Sequence, residues 1–214
     1  MKKVILLAVS FILLLPAMNA KAVAYTTSKE KSNLVDIRKL DKTIVIDLRY
    51  ATNNNFAKKQ IYPLAIPLLR KETAQKLVMA NRELSKKGYR IKIWDAYRPF
   101  SAQQVLWNAA APSQKRFVAN PLKGSNHNRG ASVDITLADK NGKELKMPTG
   151  FDNFTAAAAP AYKKMDPTAR KNLNILAAAM KKQGFTTISN EWWHFDDSNR
   201  KKYPILNVPL DQFK

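Results

Sequence analysis

The sequence contains no cysteine in 214 residues. That excludes a disulfide framework, a thiol nucleophile and thiolate metal ligands. Any metal would have to be held by histidine and carboxylate. Histidine is scarce as well: there are two, His127 and His194. Negative charge is in short supply, with 16 acidic residues against 37 Lys and Arg and a formal net charge of +21. The lysines are spread along the chain, which suits a solvated surface and would also hold the protein near anionic envelope polymers. There is no nucleic-acid motif and no basic stripe interleaved with aromatics, so nucleic acid is not expected as a partner.

Long apolar runs are also lacking, with one exception. Lys2 and Lys3 precede an apolar stretch from Val4 to Leu15, followed by Pro16 and small residues. A charged start, a short apolar centre and a small-residue exit read as an export signal over residues 1–22, with cleavage near 20–24. The stretch is shorter than the roughly 20 residues of a membrane span. No cysteine follows it, which excludes a lipid-anchored lipoprotein. The expectation is an exported chain, periplasmic or secreted, with one domain over residues 23–214 that rests on its core alone.

What is present is concentrated in two short segments. The first is Ser125-Asn126-His127-Asn128-Arg129-Gly130, which continues through Ala131-Ser132-Val133 to Asp134. The second is Glu191-Trp192-Trp193-His194. Each histidine has a carboxylate close by, and imidazole nitrogen with carboxylate oxygen suits zinc. Three such ligands leave a fourth position for water, the layout of a catalytic site. Glu191 lies three residues before His194, and residues three apart on a regular strand face opposite sides. A turn or bulge near Trp192 is therefore required if both face one site. Each of these residues also has a plain structural reading: a hydrogen-bonded histidine, a surface carboxylate, core tryptophans.

The pattern Ser-x-His-x-x-Gly-x-x-x-Asp followed downstream by Glu-x-x-His resembles the zinc D,D-peptidases of the cell wall. Within them it is most similar to the D-alanyl-D-alanine dipeptidases, including those of vancomycin resistance. Three further stretches carry the resemblance: Asp47-Leu48-Arg49-Tyr50-Ala51-Thr52 with Asn55-Phe56, then Trp94-Asp95-Ala96-Tyr97-Arg98-Pro99, then Gly150-Phe151-Asp152. The resemblance implies one zinc ion on His127, Asp134 and His194. It implies Glu191 as general base and Arg98 as the cation beside the oxyanion. Asp152 and Tyr50 would receive the ammonium group of a small D,D-dipeptide, with Ser125 and Asn126 lining the substrate pocket. Asn126 stands where the vancomycin-resistance enzymes often have serine. A D,D-carboxypeptidase or endopeptidase acting on peptidoglycan stem peptides is the enzymatic alternative. A zinc-containing module that binds wall peptide without cutting it is the other, although such a module would need neither the base nor the oxyanion cation.

Periodicity predicts the elements around these segments. Lys71 to Lys87 reads as a helix with Ala74, Leu77, Val78 and Leu84 on its apolar face and Gly88 as its stop. A second helix runs from Asp166-Pro167 to Gln183, with Leu173, Leu176, Ala177 and Met180 in helical register and Gly184 at its end. A shorter helix, Ser101 to Ala110, is expected to be capped by Ser101 with Val105, Leu106 and Ala109 inward. Strands are expected at Thr43–Tyr50, Tyr89–Trp94, Ala131–Leu137, Phe185–Ile188 and Trp192–Phe195, with a hairpin turn at Asn141-Gly142. Ala24 to Asp41 reads as an irregular arm. Strands and helices that do not alternate regularly suggest an α+β domain, a small, mainly antiparallel sheet with helices packed on one face. The resemblance implies the same fold.

Overall fold

The structure is a computed structural model and describes residues 23–214. The export signal read over residues 1–22 lies outside the described residues. Among the described residues no helix is long and apolar enough to cross a membrane.

In chain order the elements are α1 (Lys29–Ser32), β1 (Leu34–Asp36), β2 (Val45–Ile46), β3 (Leu68–Arg70), α2 (Lys71–Ser85), β4 (Tyr89–Asp95), α3 (Phe100–Ala109), β5 (Ser132–Asp139), α4 (Pro167–Lys182), β6 (Phe185–Thr187) and β7 (His194–Asp197). Five strands form one sheet in the order β2-β4-β5-β7-β6. Only β2 and β4 run parallel. Strands β1 and β3 make a separate antiparallel pair. The result is the α+β arrangement expected.

The central strand β5 explains the layout. Along Ser132-Val133-Asp134-Ile135-Thr136-Leu137 polar and apolar residues alternate, so they point to opposite faces. Val133, Ile135 and Leu137 join Ile91 and Ile93 of β4 and Phe195 of β7 in the main core. Helices α2 and α4 cover that face with Ala74, Leu77, Leu84, Leu173, Leu176 and Met180. Asp166 caps α4 by accepting the Ala169 N–H at 3.1 Å. The other face carries Asp134 opposite His194 and Ser132 opposite Asp196. It is equally buried, but by polar side chains.

Four expectations need correction. The arm from Ala24 to Asp41 is ordered: it contains α1 and β1, because Leu34–Asp36 pairs with Leu68–Arg70. The strand at Thr43–Tyr50 shrinks to Val45–Ile46, since Arg49–Ala51 turns as a 3₁₀ helix that buries Tyr50. Helix α3 starts at Phe100 with Pro99 in the cap position, so Ser101 is no cap and its N–H donates to Asn207 Oδ1. Ala102, Gln103 and Leu106 face inward, while Val105 and Ala109 are exposed. Two of these, Ala102 and Leu106, join a second apolar cluster with Tyr50, Tyr62, Tyr97 and Leu206. Finally, the last strand begins at His194, leaving Trp192 and Trp193 in a turn after Glu191.

Candidate metal centre and cleft

His127 opens a 3₁₀ turn, His127–Arg129, that ends on Gly130 in the left-handed region at φ 66°. Buried Asn128 braces this turn: its Oδ1 accepts the Ser125 N–H at 2.8 Å and its Nδ2 donates to Arg98 O at 2.9 Å. Asp134 and His194 come from facing positions of β5 and β7. The turn at Trp192-Trp193 brings Glu191 to the same cleft, as its spacing from His194 required. Both tryptophans are buried in the main core, and Trp193 also lines the cleft.

His127, Asp134 and His194 form a group able to hold a metal ion. His194 Nδ1 lies 3.0 Å from Asp134 Oδ1 and 3.2 Å from His127 Nε2, which is 3.3 Å from Asp134 Oδ1. Ligand atoms about 2.0–2.1 Å from a tetrahedral zinc are separated by about 3.3 Å, so the triangle fits one ion. The outer nitrogens of both rings are already committed. His127 Nδ1 is 2.8 Å from Ala96 O, and His194 Nε2 is 2.9 Å from Asp196 Oδ1. Donation at those positions leaves His127 Nε2 and His194 Nδ1 with their lone pairs turned toward the cradle.

Electrostatics agree with a cation there. Burial works against ionised Asp134, but the two imidazoles outweigh it and hold its carboxyl below the usual range. Burial likewise opposes the His194 imidazolium, yet hydrogen bonds to Asp134 and Asp196 push its pKa up to about 10. The anionic surroundings stabilise positive charge at this point, whether proton or metal.

The remaining expected residues line the same cleft, whose volume is 330 Å³. Burial, reinforced by Asp134 and Asp152, pushes the Glu191 carboxyl up to about 8, although His194 and Arg98 pull it down. Burial also pushes the Asp152 carboxyl up to about 7, against hydrogen bonds from the Phe56 N–H at 3.2 Å and the Tyr50 hydroxyl at 3.0 Å. Among the described residues neither carboxyl has a salt-bridge partner. Arg98 donates through Nε and Nη2 to Asp95 Oδ2 and through Nη1 to Gln103 Oε1. Its Nη2 lies 3.9 Å from Asp134 Oδ2, and its guanidinium stands 5.2 Å from the Tyr50 ring centroid.

Ser125 and Asn126 are at the cleft but turned to local partners. Ser125 Oγ accepts the His127 N–H at 3.2 Å, and Asn126 Nδ2 donates to Asp196 Oδ2 at 3.0 Å. Sequence reasoning gave no role to Asp95, Gln103 or Asp196. Asp95 also accepts from the Tyr62 hydroxyl at 2.7 Å. Asp196 gathers Ser132 Oγ, Asn126 and Arg200 besides His194. The signal for Asp196 was available, because it stands two residues after His194 on the same strand face.

A family profile described as D-ala-D-ala dipeptidase, within peptidase family M15, matches residues 30–211. A D-alanyl-D-alanine dipeptidase of Escherichia coli K12 is 36% identical over 184 residues, 86% of this chain and 93% of that protein. One from Enterococcus faecium is 28% identical over 168 residues, covering 70% of this chain and 83% of its own length. Among solved structures, a vancomycin-resistance D,D-dipeptidase in complex with a D-Ala-D-Ala phosphinate analogue overlaps 79% of this chain and 69% of its own, at 18% identity and a TM-score of 0.42. The matched span takes in both ligand segments and every strand of the sheet between them, and the chain belongs to the D-alanyl-D-alanine dipeptidase family of peptidases.

Proposed function

We propose that this chain is an exported, zinc-dependent dipeptidase that hydrolyses D-alanyl-D-alanine. One observation carries the reading. A three-atom metal cradle shares a 330 Å³ cleft with two carboxyls, Glu191 and Asp152, that form no salt bridge among the described residues. That volume is at the low end for small-molecule clefts, about 300–1,000 Å³, and suits a dipeptide better than a polymer strand.

When bound at His127, Asp134 and His194, zinc supplies a Lewis acid for the scissile carbonyl and lowers the pKa of water. Glu191 takes the proton of the attacking water and passes it to the departing amine. Burial raises the Glu191 carboxyl to about 8, against the pull of His194 and Arg98, which makes it a stronger base than an ordinary carboxylate. Arg98 presents fixed positive charge to the developing oxyanion. Asp95 and Gln103 hold its guanidinium in place beforehand, so little reorganisation accompanies the reaction.

Asp152 and Tyr50 receive the substrate ammonium. A free dipeptide brings the positive charge this buried carboxyl lacks; a stem peptide offers an uncharged amide at the same point. Export to the periplasm or outside the cell is supported by the charged, then apolar, stretch at Lys2 to Leu15. The net charge of +21 favours residence beside anionic envelope polymers.

The test uses zinc-loaded protein, D-alanyl-D-alanine and its N-acetyl derivative. Asp152→Ala should lower kcat/KM on the free dipeptide by about 10- to 150-fold, the scale of a charge-assisted contact, and far less on the acylated one. Equal losses on both, or high wild-type activity on the acylated compound, would transfer the protein to the D,D-carboxypeptidases.

A further inference from the structure

A dipeptide has two charged ends, and the reading above provides for one. Ser125 and Asn126, expected to line the substrate pocket, carry no charge; Ser125 Oγ accepts from the His127 N–H and Asn126 Nδ2 donates to Asp196. Two cationic side chains other than histidine line the cleft, Arg98 and Arg116. Arg98 is already bound to Asp95 and Gln103. Arg116 is exposed at the rim and forms no salt bridge with any described residue. Its guanidinium lies over the Phe117 ring, 4.8 Å from the centroid.

Phe117 ties Arg116 to Asp152 through a chain of rings. Its ring stacks on Phe154 at 5.1 Å and 10°, and Phe154 leans on Phe56 at 5.1 Å. The Phe56 N–H is one of the two donors that hold Asp152. A continuous aromatic wall therefore runs from the unpaired anion to the unpaired cation. We propose, resting on the dipeptidase reading, that Arg116 is the specificity-determining residue that receives the substrate's terminal carboxylate, so that the cleft selects a small zwitterion. A planar guanidinium resting on an aromatic face keeps its edge N–H groups free for bidentate binding of a carboxylate.

The experiment compares D-alanyl-D-alanine with its C-terminal carboxamide, using wild-type protein, Arg116→Gln and Arg116→Lys, all zinc-loaded. Wild type should prefer the free acid by about 10- to 100-fold in kcat/KM. Arg116→Gln should lose most of that preference through a higher KM on the acid alone, with kcat and zinc content kept. Arg116→Lys should recover part of it, since an ammonium keeps the charge but not the fork. Arg116→Gln that retains the wild-type preference, or loses equally on both compounds, overturns the role of Arg116 and leaves the dipeptidase reading standing. Wild-type protein that hydrolyses neither compound overturns the dipeptidase reading and this inference with it.

Discussion

His194 shows how much a single ring depends on its far side. Its Nε2 faces Asp196, which also accepts from Ser132 and Asn126. Asp196 thus selects the tautomer that turns Nδ1 toward Asp134 and His127. His194→Ala should abolish zinc retention after dialysis. Asp196→Asn should keep the fold but weaken zinc by about 10- to 100-fold in chelator competition, because an amide still accepts one hydrogen bond yet no longer anchors the ring with charge. Wild-type affinity in that variant would mean the tautomer is fixed elsewhere. Glu191→Gln should behave oppositely, holding zinc while kcat falls about 100-fold or more. The histidines and acids of the first rank were legible because they are rare types in a known spacing. Asp95, Asp196 and Gln103 were not, since a residue that acts through another leaves no spacing of its own.

At the scale of elements, the turn that carries His127 hangs on Gly130. Its φ is 66°, and a Cβ there would lie 2.6 Å from Leu34 Cδ2 and 3.3 Å from the Arg70 backbone nitrogen. The Gly130 carbonyl accepts that same Arg70 N–H at 2.8 Å. Gly130→Ala should therefore cost about 2–4 kcal/mol, from left-handed backbone and overpacking combined. A chemical-denaturation curve and a zinc titration should both register it, because β3 would be pushed from the turn. Unchanged stability would show that β1 and β3 yield easily. Helices α2 and α4 were readable from their apolar rhythm and glycine stops. Helix α3 was misphased because Gln103 sits inward to hold Arg98 and the Ala119 carbonyl; counting hydrophobic residues cannot find a buried polar strut. Strand β1 escaped notice for a different reason, as three residues become a strand only through a partner far along the chain.

For the whole molecule, the cleft stores a stability cost. The Asp152 carboxyl is raised to about 7 by burial, against about 3.9 in an unfolded chain. The folded state therefore prefers the protonated acid, and stability is lost as pH rises from about 4 through about 7. Asp152→Asn should remove that loss. Its melting temperature should exceed wild type by an amount that grows over this interval and vanishes at its acid end, worth about 1–2 kcal/mol because the carboxyl keeps a partly exposed edge. Asn also accepts the positive φ of 57° at this position. Thermal melts across the interval check the prediction, and a difference that stays constant with pH would assign the effect to packing. The same variant should lose dipeptide hydrolysis, the common exchange of activity for stability.

Strand β5 sends Val133 and Ile135 to the core and Asp134 to the cradle, residue by residue. Deleting one residue inside it would exchange the two sets, placing a carboxylate among the helices and an isoleucine at the metal position. The chain therefore has no route by which the catalytic face could drift while the hydrophobic face stayed intact. Novelty in this protein has to arise in segments free of that double duty. The connection holding Arg116 and Phe117 is one, and it can change length or sequence without re-indexing the sheet.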